Sequence, residues 1–109
     1  MPTSITRKDF VQISATPKLL SLVHFRAEWS GSSQLLNMIC KDLERSYKGM
    51  VNFFDVDADA ETELVKQFGI MEIPTLLMFF DGNLVDHVLG LTSKNKLIAK
   101  IENALSANN

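Results

Sequence analysis

Val23-His24-Phe25-Arg26-Ala27-Glu28-Trp29-Ser30-Gly31-Ser32-Ser33 and, further along the chain, Ile73-Pro74-Thr75 are the stretches that decide the fold. The first stretch begins inside an apolar run that extends from Leu19 to Phe25 and is interrupted by Ser21 and His24. Such a run is typical of a strand that helices bury on both faces. The second stretch opens another run, Thr75 to Phe80, and we predict a strand there as well.

Helical and extended patterns alternate along the rest of the chain. We predict helices over about 7–13, 33–47, 60–68 and 94–105, and strands over 19–25, 51–56, 75–80 and 84–89. A short strand near Ser4 is a further option. Asp57-Ala58-Asp59 is expected to cap the helix near residue 60, and Ser93 or Thr92 the last helix. Strands separated by helices pair in parallel, whereas the turn Asp81-Gly82-Asn83 makes the last pair antiparallel. The pattern predicts an α/β fold with a central mixed sheet flanked by helices on both faces.

Composition limits the possible functions. The chain has 109 residues, so we predict one domain over 1–109. The formal net charge is −2 and the basic residues are scattered, which argues against a nucleic-acid partner. No apolar run approaches the roughly 20 residues of a membrane span, and the first eight residues lack a secretory signal. We therefore expect a cytoplasmic protein without a membrane partner. Cys40 is the single cysteine and excludes an internal disulfide.

The chain resembles the thioredoxin family over about residues 5–105. The landmarks are Phe25-x-Ala27-Glu28-Trp29-x-Gly31, Asp55-Val56-Asp57, Phe68-Gly69-Ile70, Ile73-Pro74-Thr75-Leu76, Phe80-x-Gly82 and Gly90. The resemblance implies a thioredoxin-like fold with a cis bond before Pro74. It also implies that residue 73 offers backbone N–H and C=O groups to an extended partner. The activity implied for the family is protein-disulfide reduction.

Serine stands at the two positions that the family's W-C-x-x-C motif reserves for cysteine, Ser30 and Ser33. A thiolate is the attacking species in thiol–disulfide exchange, and a serine hydroxyl is hardly ionised at neutral pH. By the same resemblance, His24 replaces a buried aspartate and Phe53 its lysine partner. Other departures from the family pattern are Arg26, Ser32 and Met38. We expect the two serines to fill the space of cysteines, with Ser30 capping the following helix.

Two hypotheses of function follow. The first is a non-catalytic adaptor or chaperone-like module that binds an extended or partly unfolded protein segment. The resemblance places its groove at Trp29, Gly31, Ser32, Ile73, Pro74, Gly90 and Leu91. The alternative is a thiol–disulfide oxidoreductase of cell redox homeostasis whose active-site cysteine was replaced by serine in this chain.

Other chemistry has weaker support in the sequence. A Ser33–His24 dyad lacks a third group and an oxyanion hole, so we expect no catalytic residue in this chain. Cys40 lies on the apolar face of its helix and is expected to be a small buried hydrophobe, with a redox role as the alternative. His24 and His87 lack metal-ligand spacing, so we expect no metal and no cofactor. The oligomeric state is open.

Overall fold

The computed structural model describes residues 3–4, 6, 10 and 19–108. Within them the chain forms five strands and three helices. In chain order they are β1 (Thr3–Ser4), β2 (Leu20–Arg26), α1 (Gly31–Ser46), β3 (Val51–Asp57), α2 (Thr62–Gln67), β4 (Thr75–Phe80), β5 (Asn83–Leu89) and α3 (Lys94–Ala107). The helix predicted over 7–13 lies outside the described residues except for Phe10. No helix in the described part of the chain is long and apolar enough to cross a membrane.

The strands form one mixed sheet in the order β1-β3-β2-β4-β5. β3 pairs in parallel with β1 and β2, whereas β4 is antiparallel to β2 and β5. The predicted α/β fold is therefore confirmed, and so is the short strand at Ser4. Register brings the carboxyl ends of β2 and β3 together with the start of β4 and the end of β5, because Arg26 pairs with Asp57 and Thr75 pairs with Phe25 and Leu89.

Each face of the sheet carries its own apolar cluster, because alternate strand residues point to opposite faces. The α1–α3 face is built from Leu20, Leu22, Leu36, Cys40, Leu43, Val51, Phe53, Leu76, Met78, Val88, Leu97, Ile101 and Ala104. The opposite face is built from Phe10, Val23, Phe25, Val56, Leu64, Leu77 and Phe79, and α2 packs there through Leu64. Helices thus cover both faces, as the apolar runs predicted.

The helix boundaries differ from the prediction where local hydrogen bonds override the apolar pattern. α1 begins at Gly31, two residues early, because the Ser30 side chain already accepts a hydrogen bond from the Ser33 N–H. The predicted cap of α2 is wrong. The Asp57 carboxylate accepts the N–H groups of Asp59 and Ala60, which closes a turn before the helix, and Glu61 makes no side-chain cap. The predicted cap at Ser93 is confirmed by its bond from the Lys96 N–H, 3.2 Å.

The β4–β5 hairpin has a two-residue loop, since Phe80 pairs with Asn83. Asp81 and Gly82 have φ of 53° and 82°, and both values are positive as in a type I′ turn. This turn lies at the end of the sheet remote from Pro74 and Gly90, because Phe80 also pairs with Leu20, the first residue of β2.

Candidate functional site

The candidate site lies at the edge of the sheet where four chain segments converge. Three of them follow strands: the loop after β2 with Trp29, the turn after β3 with Asp59, and the bend after β5 with Gly90. The fourth is the loop that ends at Pro74 and leads into β4. The register of the sheet brings these segments together although they are far apart in sequence.

Ser30 and Ser33 are buried at the amino end of α1, with 7% and 1% of their surface exposed. The Ser30 hydroxyl oxygen accepts the Ser33 N–H at 3.1 Å, and the Ser33 hydroxyl oxygen accepts the Ala27 N–H at 3.3 Å. The predicted cap by Ser30 is confirmed. Both oxygens satisfy backbone donors of the loop and of the first helical turn, whose N–H groups otherwise lack partners. The two serines therefore have a structural role at this helix end.

His24 lies on the α1 face of β2, between Asp55 of β3 and Leu76 of β4 in register. It is 1% exposed, and neither ring nitrogen has a hydrogen-bond partner among the described residues. Burial lowers the pKa of His24 to about 4; the Asp55 charge opposes this shift and the Arg26 charge adds to it. His24 is therefore neutral at pH 7. Because its nitrogens are unpartnered, no Ser33–His24 dyad is formed.

An ion pair next to His24 is not evident from the sequence. The Arg26 Nε–H donates to the Asp55 carboxylate at 3.1 Å, and the Ser4 hydroxyl donates to the same oxygen at 2.7 Å. Asp55 is 4% exposed, so its charge is buried but paired. Arg26 and Asp55 occupy the same face of neighbouring parallel strands, and a correct strand register is the signal that would have revealed the pair.

A cavity of about 290 Å³ opens beside this ion pair. Its walls include Ser33, Gln34 and Asn37 of α1. The Oδ1 atom of Asn37 is buried there without a hydrogen-bond partner among the described residues.

The groove residues named by the resemblance are unequally exposed. Trp29 is 70% and Leu91 47% exposed, Gly31 is also exposed, and Ser32, Ile73 and Gly90 are half-buried. Pro74 is buried. The Trp29 indole N–H donates to the Asp59 carboxylate at 2.9 Å, across the loops that follow β2 and β3. The Trp29 indole is thus tied to Asp59, and most of its surface is exposed to solvent.

The Ile73–Pro74 peptide bond is cis, as predicted. The Pro74 carbonyl accepts the Gly90 N–H at 2.8 Å, which joins the two loops of the groove. Within the described residues, the backbone N–H and C=O groups of Ile73 make no hydrogen bond. Gly90 has φ of 79°, and a Cβ there would lie 3.5 Å from a Glu72 carboxylate oxygen. A side chain at position 90 would strain the backbone and narrow the groove.

Cys40 is buried against the sheet, where burial raises the pKa of its thiol to about 12. The thiol therefore stays protonated at neutral pH, which fits the expected apolar role. Across residues 3–4, 6, 10 and 19–108, no group of three His, Cys, Asp or Glu side chains could hold a metal ion.

The class of protein follows from this geometry. A mixed sheet with helices on both faces, and a helix amino end beside a cis-proline loop, defines the thioredoxin-like fold. A solved structure described as the initial structural analysis of Plasmodium falciparum thioredoxin superposes with a TM-score of 0.84 and 26% sequence identity. The match covers 93% of this chain and 97% of that one.

The sequence comparisons identify the family. The thioredoxin family model matches residues 2–103, so the chain belongs to the thioredoxin family. A thioredoxin of Chlamydia caviae is 41% identical over 101 residues, which cover 89% of this chain and 92% of that protein. A thioredoxin of Rickettsia felis is 30% identical, and the match covers 96% of this chain and 100% of that protein. A thioredoxin of Staphylococcus saprophyticus is 35% identical, and the match covers 79% of this chain and 83% of that protein.

Proposed function

We propose that this chain is a protein-binding member of the thioredoxin family that holds an extended or partly unfolded segment in its groove without exchanging disulfides. The observation that carries the proposal is the serine pair beside an exposed apolar groove. Thiol–disulfide exchange needs a sulfur nucleophile and a second sulfur to resolve the mixed disulfide. Ser30 and Ser33 supply neither, and Cys40 is protonated and buried in the apolar cluster between α1 and the sheet.

The groove has features that suit an extended backbone. The Ile73 N–H and C=O groups are unpaired within the described residues, so one residue of a partner could hydrogen-bond there as in strand addition. Trp29 and Leu91 add apolar surface on either side. Because no covalent bond traps the partner, we expect a Kd on the order of micromolar or weaker.

The names of the relatives favour a second candidate, a thiol–disulfide oxidoreductase of cell redox homeostasis. It requires that serine replaced an active-site cysteine at position 30 or 33 in this chain. One feature of the scaffold supports it, the helix amino end that would stabilise a thiolate, whereas neutral His24 and apolar Phe53 stand where the resemblance implies an acid and its lysine partner. A cytoplasmic location stays a prediction of the sequence under either candidate.

Two assays test the binding proposal. We expect no turnover of this chain in a disulfide reductase assay, and turnover would contradict the proposal. The binding assay uses a labelled, reduced and alkylated unfolded polypeptide, which cannot enter exchange chemistry. We expect Trp29→Ala to weaken its binding about tenfold, since buried aromatic anchors dominate interfaces.

Met50→Ala is the matched control for Trp29→Ala. Met50 is 53% exposed and precedes β3, at the end of the sheet remote from the groove. Its substitution should leave binding unchanged. Equal losses in the two variants would mean that the polypeptide adheres to exposed apolar surface in general, which argues against a groove.

A further inference from the structure

Carboxylates border the groove on two sides. The Asp59 carboxylate accepts the Trp29 indole N–H at 2.9 Å. On the other side, a Glu72 carboxylate oxygen lies 3.5 Å from the position that a Cβ on Gly90 would occupy. Asp59 and Glu72 are both solvent-exposed.

Neither carboxylate is neutralised by the part of the chain that the structure describes. No described lysine, arginine or histidine side chain lies within 4.0 Å of Asp59 or Glu72. Two cations of the surrounding region are engaged elsewhere: Arg26 with Asp55 at 3.1 Å and Lys94 with Asp42 at 3.9 Å. The groove borders therefore carry two unneutralised negative charges, which complement a cationic partner.

The groove continues into an apolar hollow. A cavity of about 590 Å³ lies between α1 and the bend after β5, and its apolar walls are Leu35, Met38, Ile39 and Leu91. Leu35 and Met38 are 53% and 65% exposed, and Leu91 belongs to both the groove and the cavity. The hollow has room for a large apolar side chain of a partner.

We propose that the occupant of the groove is an extended protein segment in which lysine or arginine stands next to a bulky apolar residue. This inference rests on the proposed binding function and adds the chemistry of the partner. The apolar residue enters the hollow at Leu91, and the cationic neighbours pair with Asp59 and Glu72. An acidic segment is disfavoured because both borders would repel it.

The test compares three synthetic peptides of equal length with one central leucine and flanks of lysine, glutamine or glutamate. Anisotropy of a label on the peptide reports binding at low and high salt. We expect the lysine peptide to bind tightest and the glutamate peptide weakest, about tenfold or more apart. The difference should shrink at high salt because exposed charges are screened.

Two variants test whether Asp59 and Glu72 cause the preference for the lysine peptide. Asp59→Asn keeps an acceptor for the Trp29 N–H, and Glu72→Gln keeps the side-chain length. Each variant should bind the lysine peptide about two- to fivefold more weakly, which is the effect of one exposed charge pair. Its affinity for the glutamine peptide should be unchanged. Asp81→Asn removes a charge at the remote hairpin, where asparagine tolerates positive φ, and should change nothing.

The outcomes distinguish this inference from the proposed function. If the three peptides bind equally and Trp29→Ala abolishes binding of all, the groove binds segments but the preference for cations is overturned. If Asp81→Asn has the same effect as Asp59→Asn, net charge alone explains the preference and the inference is overturned. If no peptide binds and the unfolded polypeptide also fails, the proposed function falls with it.

Discussion

Protonation of His24 should contribute to the acid destabilisation of this protein, and His24→Leu should remove that contribution. The imidazole is 1% exposed and lies between Asp55 and the apolar side chain of Leu76. Its pKa is lowered from 6.5 to about 4, mainly by burial; the Asp55 charge opposes this shift and the Arg26 charge adds to it. At 1.36 kcal/mol per pKa unit, the difference is about 3 kcal/mol in the free energy of unfolding.

The direction of the pH effect on the free energy of unfolding depends on whether the folded or the unfolded chain takes up the His24 proton first. As the pH falls, the unfolded chain binds it near pH 6.5, whereas the folded chain resists protonation of His24 until about pH 4. Between these values the unfolded state holds more protons, so the free energy of unfolding decreases with decreasing pH. The loss is complete below about pH 4 and absent well above pH 6.5.

Urea unfolding followed by circular dichroism between pH 7.5 and pH 4 measures this effect. Leucine removes the titrating group at similar volume and leaves no unpartnered ring nitrogens, so His24→Leu should equal or exceed the original stability at pH 7. Its advantage should grow by about 3 kcal/mol on acidification. Carboxylate titrations occur in both proteins and cancel in the difference. His87→Asn, at the exposed histidine of β5, is the control. A stability difference that stays constant from pH 7.5 to pH 4 would refute the reasoning.

Four further predictions concern structure and scaffold. Ser30→Ala removes the cap of α1 and should lower the free energy of unfolding, measured with urea, by about 1 kcal/mol. Asp55→Ala leaves Arg26 unpaired and should cost about 2 kcal/mol, less than for a fully buried pair because Arg26 is partly exposed. Leu36→Ala opens a cavity under α1 and should cost about 3 kcal/mol. Cys40 should resist alkylation at pH 8 until the protein is unfolded, since its thiol is buried and protonated; rapid labelling of the native protein would contradict this.

Restoring cysteine at positions 30 and 33 tests the scaffold. We expect disulfide reductase activity well below that of an ordinary thioredoxin, because His24 is neutral and Phe53 is apolar where the resemblance implies an acid and its lysine partner. A chain with serine at 30 and cysteine at 33 is the matched control and should be inactive. Activity of the double variant equal to an ordinary family member would contradict the prediction.

Local signals predicted most of the fold. The nearly continuous apolar run of β2 indicated a strand buried on both faces, and the run of β4 indicated another strand. The helical spacing of Leu36, Cys40 and Leu43 indicated the buried face of α1. These patterns succeed because burial of a strand or helix face is encoded within a few residues. The predicted cap of α2 was wrong because an aspartate carboxylate can accept backbone N–H groups either in a turn or at a helix start, and the local sequence does not distinguish the two. In the structure Asp57 closes a turn.

The sequence alone determined that this chain has no dithiol, that its strands and helices alternate, and that its landmarks resemble the thioredoxin family. Those properties depend on residue identity and on short-range periodicity. Only the tertiary structure decided where three carboxylates lie: Asp55 pairs with Arg26, Asp59 accepts the Trp29 N–H, and Glu72 lies beside Gly90. These contacts join residues far apart in sequence, and they depend on strand order and register. The electrostatic character of the groove is therefore a property of the assembled sheet.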